Sequence, residues 1–138
     1  MIRFSVCTAL ALVLLTTAAC GGEVSPTGPG PAVVLTLPAS VTGIAGVPQS
    51  ERLYKFVVPA GTNQLVVSTS GGIGDADLYV REAQAPSPTF SDCSPQVPSS
   101  STETCTMTDP DAGEWYVMLV GYTAYSGVTL TVTVTGAP

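Results

Sequence analysis

Few residues in this chain could do chemistry, and the most conspicuous of them sit in "SGGIGDADLYV", residues 70–80. A glycine-rich loop runs into Asp75 and Asp77, one residue apart, and the chain then turns apolar and aromatic. In an extended chain alternate side chains share a face, so the two carboxylates project to one side about 6.6 Å apart. Three readings fit such a pair. A calcium ion takes about 6–8 oxygens, so carbonyls of the 71–74 loop, water and a further acid would have to complete the shell. A glycosidase dyad works at roughly 5.5 or 6.5–9.5 Å, and it also needs a deep cleft and one acid of raised pKa, which so small a chain is not expected to supply. The plainest reading is a turn, with Asp75 closing an Asx-turn after Gly74 and Asp77 exposed at a strand start, accepting from backbone N–H groups. The turn is the expectation and a calcium-binding edge at Asp75 and Asp77 is the alternative.

Composition narrows the chemistry further. The chain has 138 residues and no histidine, with 10% charged against 45% hydrophobic residues. Without imidazole the Ser-His-Asp and Cys-His nucleophile arrangements and the His-containing zinc sites are excluded. The expectation is a protein that is not an enzyme, of one domain with one modest core. Loss of a leader containing Arg3 would leave three basic residues against ten acidic ones. Such a surface repels nucleic acid and anionic lipid heads and tolerates cations.

The leader is "MIRFSVCTALALVLLTTAAC". Arg3, an apolar stretch from Phe4 to Leu15 and the small residues Thr17, Ala18 and Ala19 predict a signal peptide over residues 1–19, cut before Cys20 and too short to span a membrane. "LTTAAC" resembles the lipobox of bacterial lipoproteins, although Thr17 stands where those carry Leu, Val or Ile. Cysteine arithmetic favours lipidation of Cys20 over simple secretion: Cys7 leaves with the leader, Cys93 and Cys105 can pair, and Cys20 would otherwise be an odd thiol in an oxidising compartment. By the same resemblance, Gly21 favours export to an outer membrane. Residues 20–31 include "GGEVSPTGPGP", a Gly/Pro-rich linker with no apolar period.

The elements that must position the acids are strands. From residue 32 to 138 short alternating runs are bounded by turn residues, and no helical period is present. In "SGVTLTVTVTG" Val128, Leu130, Val132 and Val134 face one way and the threonines the other. "GEWYVMLVGY", residues 113–122, is apolar on both faces and predicts a central strand with Trp115 in the core. Tyr54, Phe56 and Val58, then Leu65 and Val67, then Ala76, Leu78 and Val80 supply further inward sets, and weaker strands are expected near 33–37, 41–44 and 103–107. Breaks at 59–63, 71–72, 86–98 and 109–113 carry strong turn chemistry. Seven or eight strands at this spacing predict an all-β two-sheet sandwich of jelly-roll-like or immunoglobulin-like topology. Cys93 and Cys105 are expected to close the Pro/Ser-rich loop as a disulfide, worth about 3 kcal/mol on chain-entropy reasoning. Ser99 to Thr102 read as a flexible loop, and Asp109, Asp111 and Glu114 as turn and solubility residues.

One set of motifs is recognisable. "YKFVVPAGTNQLVVSTSGGIGDADLYVR", "DC" at 92–93, "ETC" at 103–105 and "GEWYVMLVGYTAYSGVTLTVTV" occur in this order, and the chain from about Val41 to Gly136 resembles the bacterial pre-peptidase C-terminal domain. The resemblance implies a jelly-roll-like sandwich that follows the catalytic domain of exported peptidases and takes part in secretion or in holding insoluble polymers. Similar collagen-binding domains hold calcium partly through an acidic linker, here reduced to Glu23, and use exposed tyrosines. That likeness implies ligand contacts for Tyr79, Tyr122 and Tyr125, the last two in the "GYTAYSG" loop; the plainer reading of the three rings is packing at sheet edges. The functional expectation is a non-catalytic, extracytoplasmic, lipid-anchored or secreted module that binds a collagen-like protein or a polysaccharide, with calcium assistance. The alternative is a secretion or maturation accessory of an exported peptidase.

Overall fold

The computed structural model describes residues 29–136. The leader, Cys20, Glu23 and most of the linker lie outside the described residues. The strands are β1 (Val33–Val34), β2 (Ala39–Gly46), β3 (Glu51–Val58), β4 (Gln64–Ser70), β5 (Ala76–Glu82), β6 (Glu103–Thr108), β7 (Gly113–Gly121) and β8 (Tyr125–Thr135). They form two four-stranded sheets, in the orders β1-β3-β7-β5 and β2-β8-β4-β6. Odd strands make one sheet and even strands the other, so every connection crosses the sandwich. That wiring makes the architecture jelly-roll-like. All neighbours pair antiparallel except β1, which runs parallel to β3.

Alternation places the core where the sequence pattern predicts it. Phe56, Val58, Leu65, Val67, Leu78, Val80, Val117, Leu119, Val128, Leu130 and Val132 are each no more than 1% exposed and fill the space between the sheets. The central strand β7 is apolar on both faces for a reason: Trp115, Val117 and Leu119 point inward, while Met118 points outward yet is also buried, opposite Tyr79 in the ladder with β5. Something therefore covers the outer face of β5 and β7.

The cover is the segment between β5 and β6, residues 83–102. Cys93 bridges backbone to backbone with Val80, and its disulfide to Cys105 in β6 joins the two sheets with Cα atoms 6.0 Å apart. Strand β5 is an edge strand, and the N–H groups on its outer edge all end on partners outside its sheet. Ala76 N–H donates to Ser101 Oγ (3.1 Å), Leu78 N–H to Glu103 Oε2 (2.6 Å) and Val80 N–H to the Cys93 carbonyl (2.9 Å). This edge cannot recruit a foreign strand.

Candidate functional site

The two aspartates stand where a constrained loop hands over to β5. Gly72 and Gly74 both have φ in the left-handed region, +74° and +91°. They also let the loop press against residues 124–127: a Cβ on Gly74 would fall 2.1 Å from the Ala124 carbonyl oxygen. Ile73 and Ser126 exchange backbone hydrogen bonds, and the Asp75 carbonyl accepts from the Tyr122 and Thr123 N–H groups. The glycine loop and the 122–126 loop are thereby locked together beside the start of β5.

From that base, Asp75, Asp77 and Tyr79 line an open groove of about 480 Å³ together with Pro88, Gln96, Pro98, Ser99 and Tyr122. Asp75 is 6% exposed, and its Oδ2 accepts from Ser99 N–H at 2.8 Å while its Oδ1 is buried without a partner. Asp77 Oδ2 accepts from the Tyr79 hydroxyl at 3.5 Å, and that hydroxyl in turn accepts from Gln96 Nε2 at 3.2 Å. Burial and then the neighbouring Asp75 push the Asp77 carboxyl above its ordinary value, with the Tyr79 hydroxyl opposing. Tyr79 is raised by burial and by Asp77.

Behind the groove lies a third acid. Glu103 is 2% exposed, yet its carboxylate accepts from Leu78 N–H through one oxygen and from Val97 N–H, at 2.7 Å, through the other. Burial raises its pKa, the two amide donors lower it, and Asp77 and Asp75 raise it further. Ser101 completes the frame: its hydroxyl donates to the Gly74 carbonyl while accepting from Ala76 N–H.

Several expectations are corrected by this arrangement. Asp75 caps the distant Ser99 rather than closing an Asx-turn after Gly74, and Asp77 is half-buried and accepts from Tyr79 rather than from backbone. Tyr79 lines the groove but is only 3% exposed because the 83–102 segment folds over the outer face of β5, with Gln96 donating to its hydroxyl. Tyr125 leaves the site altogether. It is the first residue of β8, its side chain turns inward to 3% exposure, and its ring packs where Gly46 leaves room, 2.6 Å from a Cβ built there. Tyr122 keeps its predicted place, at 73% exposure on the groove rim.

Ser99 to Thr102, expected as a flexible loop, contribute to the hydrogen-bonded frame through Ser99 N–H and the buried Ser101 hydroxyl, while Ser99 and Thr102 stay exposed. An open groove, not the deep cleft that a glycosidase dyad needs, lies beside the pair. Glu103, Ser101 and Gln96 were missed. The only trace of Glu103's role was an acid opening a strand whose next inward residue is a cysteine. Among the described residues no group of three acid, cysteine or histidine side chains is placed to hold a metal ion, so the further acid that a calcium shell asks for is not beside Asp75 and Asp77.

Comparison with known proteins places this geometry in a family. The model of the bacterial pre-peptidase C-terminal domain matches residues 50–121. The chain is 40% identical over 113 residues to a zinc metalloprotease of Helicobacter pylori and to the hemagglutinin/proteinase of Vibrio cholerae. It is 39% identical over 122 residues to alkaline serine exoprotease A of Vibrio alginolyticus. These alignments take in 82–86% of this chain but only 42%, 18% and 22% of those proteins, so the chain spans less than half of each. Among solved structures, vEP C-ter 100 superposes with a TM-score of 0.62 at 36% identity, over 74% of this chain and 99% of that one. The pre-peptidase C-terminal domain of a Bacillus anthracis collagenase superposes with a TM-score of 0.58 at 16% identity over 77% and 98%, which shows the shared fold.

Proposed function

Starting from the premise that this chain belongs to the bacterial pre-peptidase C-terminal domain family, we propose that it is a non-catalytic, extracytoplasmic accessory of an exported peptidase, acting in its secretion or maturation. One observation carries the reading. The same module aligns along more than four-fifths of this chain with relatives named for zinc-dependent and for serine-dependent proteolysis. A unit shared between two unrelated catalytic chemistries does not supply either of them. The absence of histidine agrees, and the Cys93–Cys105 disulfide suits an oxidising compartment. The groove carboxylates then serve recognition rather than turnover.

The leader belongs to the same proposal: a signal peptide over 1–19, a lipidated Cys20 that tethers the domain, and a spacer over 20–31. Mass spectrometry of the mature N-terminus checks it. A diacylglyceryl adduct on Cys20 supports the anchor, and an unmodified residue 20 in the soluble fraction leaves simple secretion.

Affinity capture of the tagged full chain from the extracytoplasmic fraction tests the main reading. Recovery of an exported peptidase, with slower appearance of its active form when the chain is deleted, is the expected result. Normal peptidase maturation without the chain contradicts it. A second reading, a module that holds a collagen-like protein or a polysaccharide, is favoured by the exposed Tyr122 beside the groove. Retention on collagen or chitin that is lost in Tyr122→Ala would support it. Calcium assistance through Asp75 and Asp77, with carbonyls and water completing the shell, predicts a melting temperature that rises with added calcium, by about 2.7 kcal/mol of stabilisation at 100-fold saturation.

A further inference from the structure

The groove over β5 carries negative charge that nothing in the described chain neutralises. Asp75 lines the groove at 6% exposure, its Oδ2 accepting from Ser99 N–H while its Oδ1 has no partner among the described residues. A buried carboxylate with an unpaired oxygen is unfavourable, and a cation docked over the groove offsets its charge at short range. Asp77 faces the same space. The basic residues of the described chain are all engaged elsewhere. Arg52 donates to the Ala45 carbonyl, Lys55 pairs with Glu114 at 3.0 Å, and Arg81 stacks over the Phe90 ring at 3.8 Å.

Apolar groups stand in the walls around these acids, beside the polar Gln96 and Ser99. Pro88 and Pro98 line the groove, the Tyr122 ring stands at its rim, and Ile73, 74% exposed, projects from the loop clasped to the one that bears Tyr122. An acidic floor with proline and aromatic walls matches a cation on an aliphatic stem: the charge meets the carboxylates, the methylenes lie on the prolines, and the ring face attracts the cation. A neutral sugar would leave two carboxylates uncompensated. Glu103 has committed both of its oxygens to backbone N–H groups, so a divalent ion here would draw the rest of its shell from carbonyls and water, and EDTA separates that case from a basic side chain.

We propose that this groove binds a lysine or arginine side chain of an extended segment of the partner protein, with Asp75 and Asp77 taking the charge and Tyr122 covering the stem. The inference rests on the reading of the chain as an accessory to a protein partner, and names the chemistry by which that partner is held. The net charge of −6 draws such a segment in, and the groove fixes where it docks.

The test is an anisotropy titration of the mature full chain, in EDTA, against a fluorescein-labelled glycine/alanine peptide carrying spaced lysines. Saturable binding is expected, lost when every lysine is Nε-acetylated. Asp77→Asn should weaken it about tenfold or more and Tyr122→Ala about fivefold, both with unchanged circular dichroism, while Glu114→Gln, an exposed acid outside the groove, should leave it unchanged. Equal binding of the acetylated peptide, or equal weakening by Glu114→Gln, overturns the proposal. Peptide binding without recovery of a peptidase in the capture experiment keeps the groove and removes the peptidase. Capture of a peptidase at equal yield by Asp77→Asn and Tyr122→Ala keeps the accessory role and overturns the groove.

Discussion

Along the β5–β6 side of the sandwich, a disulfide joins the sheets, Ser101 and Glu103 cap the outward amides of β5, and Asp75 pins the segment that crosses above them. On the opposite side, β1 contributes two residues, Val33 and Val34, which are 54% and 69% exposed. Between β2 and β3 there the side-chain hydrogen bonding seen is that of Arg52 to the Ala45 carbonyl, and cavities of about 330 and 270 Å³ remain. Both sides are built on the same alternating core, so the contrast does not come from hydrophobic burial. It comes from polar groups. A half-satisfied set of buried carboxylates is unfavourable by itself and persists only where the surrounding frame is over-determined. The stitched side is where this chain holds Asp75 and Asp77 beside one another, while at the β2–β3 end the buried Ser50 Oγ and Tyr125 hydroxyl, both uncharged, are left without partners.

Breaking the stitch should have the largest effect. The double variant Cys93→Ala, Cys105→Ala is expected to lose about 3 kcal/mol and to melt roughly 10–20 °C lower. A smaller loss would mean that the side-chain caps alone hold β6 against β5. Glu103→Gln comes next: one of its two acceptors becomes an N–H₂ group facing an N–H donor, so roughly 2–3 kcal/mol should be lost in denaturant unfolding. The amides of Leu78 and Val97 should then exchange hydrogen faster.

Asp77→Asn should act in the other direction. The folded pKa of Asp77 lies above the ordinary 3.8, so the folded state takes up a proton more readily than the unfolded chain. The contribution of this group to stability is therefore fullest below the ordinary value and declines as pH rises through the raised one. Asparagine carries no such dependence. The variant should melt slightly above the parent near neutral pH, with the gap closing as pH is lowered toward about 3.8, whereas a gap independent of pH would remove charge from the explanation. Val34→Ala, on the plain side, should change stability by less than about 0.5 kcal/mol in the same melting experiment.

The contrast between the two sides also marks what could be read from the sequence. Alternation in "SGVTLTVTVTG" and in the Tyr54, Leu65 and Leu78 runs told which face of each strand meets the core, because strand geometry makes that a local property. It said nothing of what covers the other face. The burial of Tyr79 is not legible in its own strand, because its covering segment starts several residues later and folds back through Cys93. Tyr125 looked like a loop residue because the strand boundary falls at Tyr125 itself, one residue before "SGVTL" begins. Glu103 reaches Leu78 across 25 residues, a pairing that no spacing rule displays. Asp75 and Asp77 were legible as a pair, while their burial and the unpartnered oxygen emerged only with the fold.

The account stands most directly on where a basic ligand lands. Two-dimensional ¹H–¹⁵N spectra of the mature chain, titrated with the lysine peptide, should show shifts concentrated at Asp75, Asp77, Ser99 and Tyr122, with Val33, Val34 and Ala39–Gly46 unmoved. Shifts centred on the β1–β2 side, or spread evenly over the acidic surface, would contradict it.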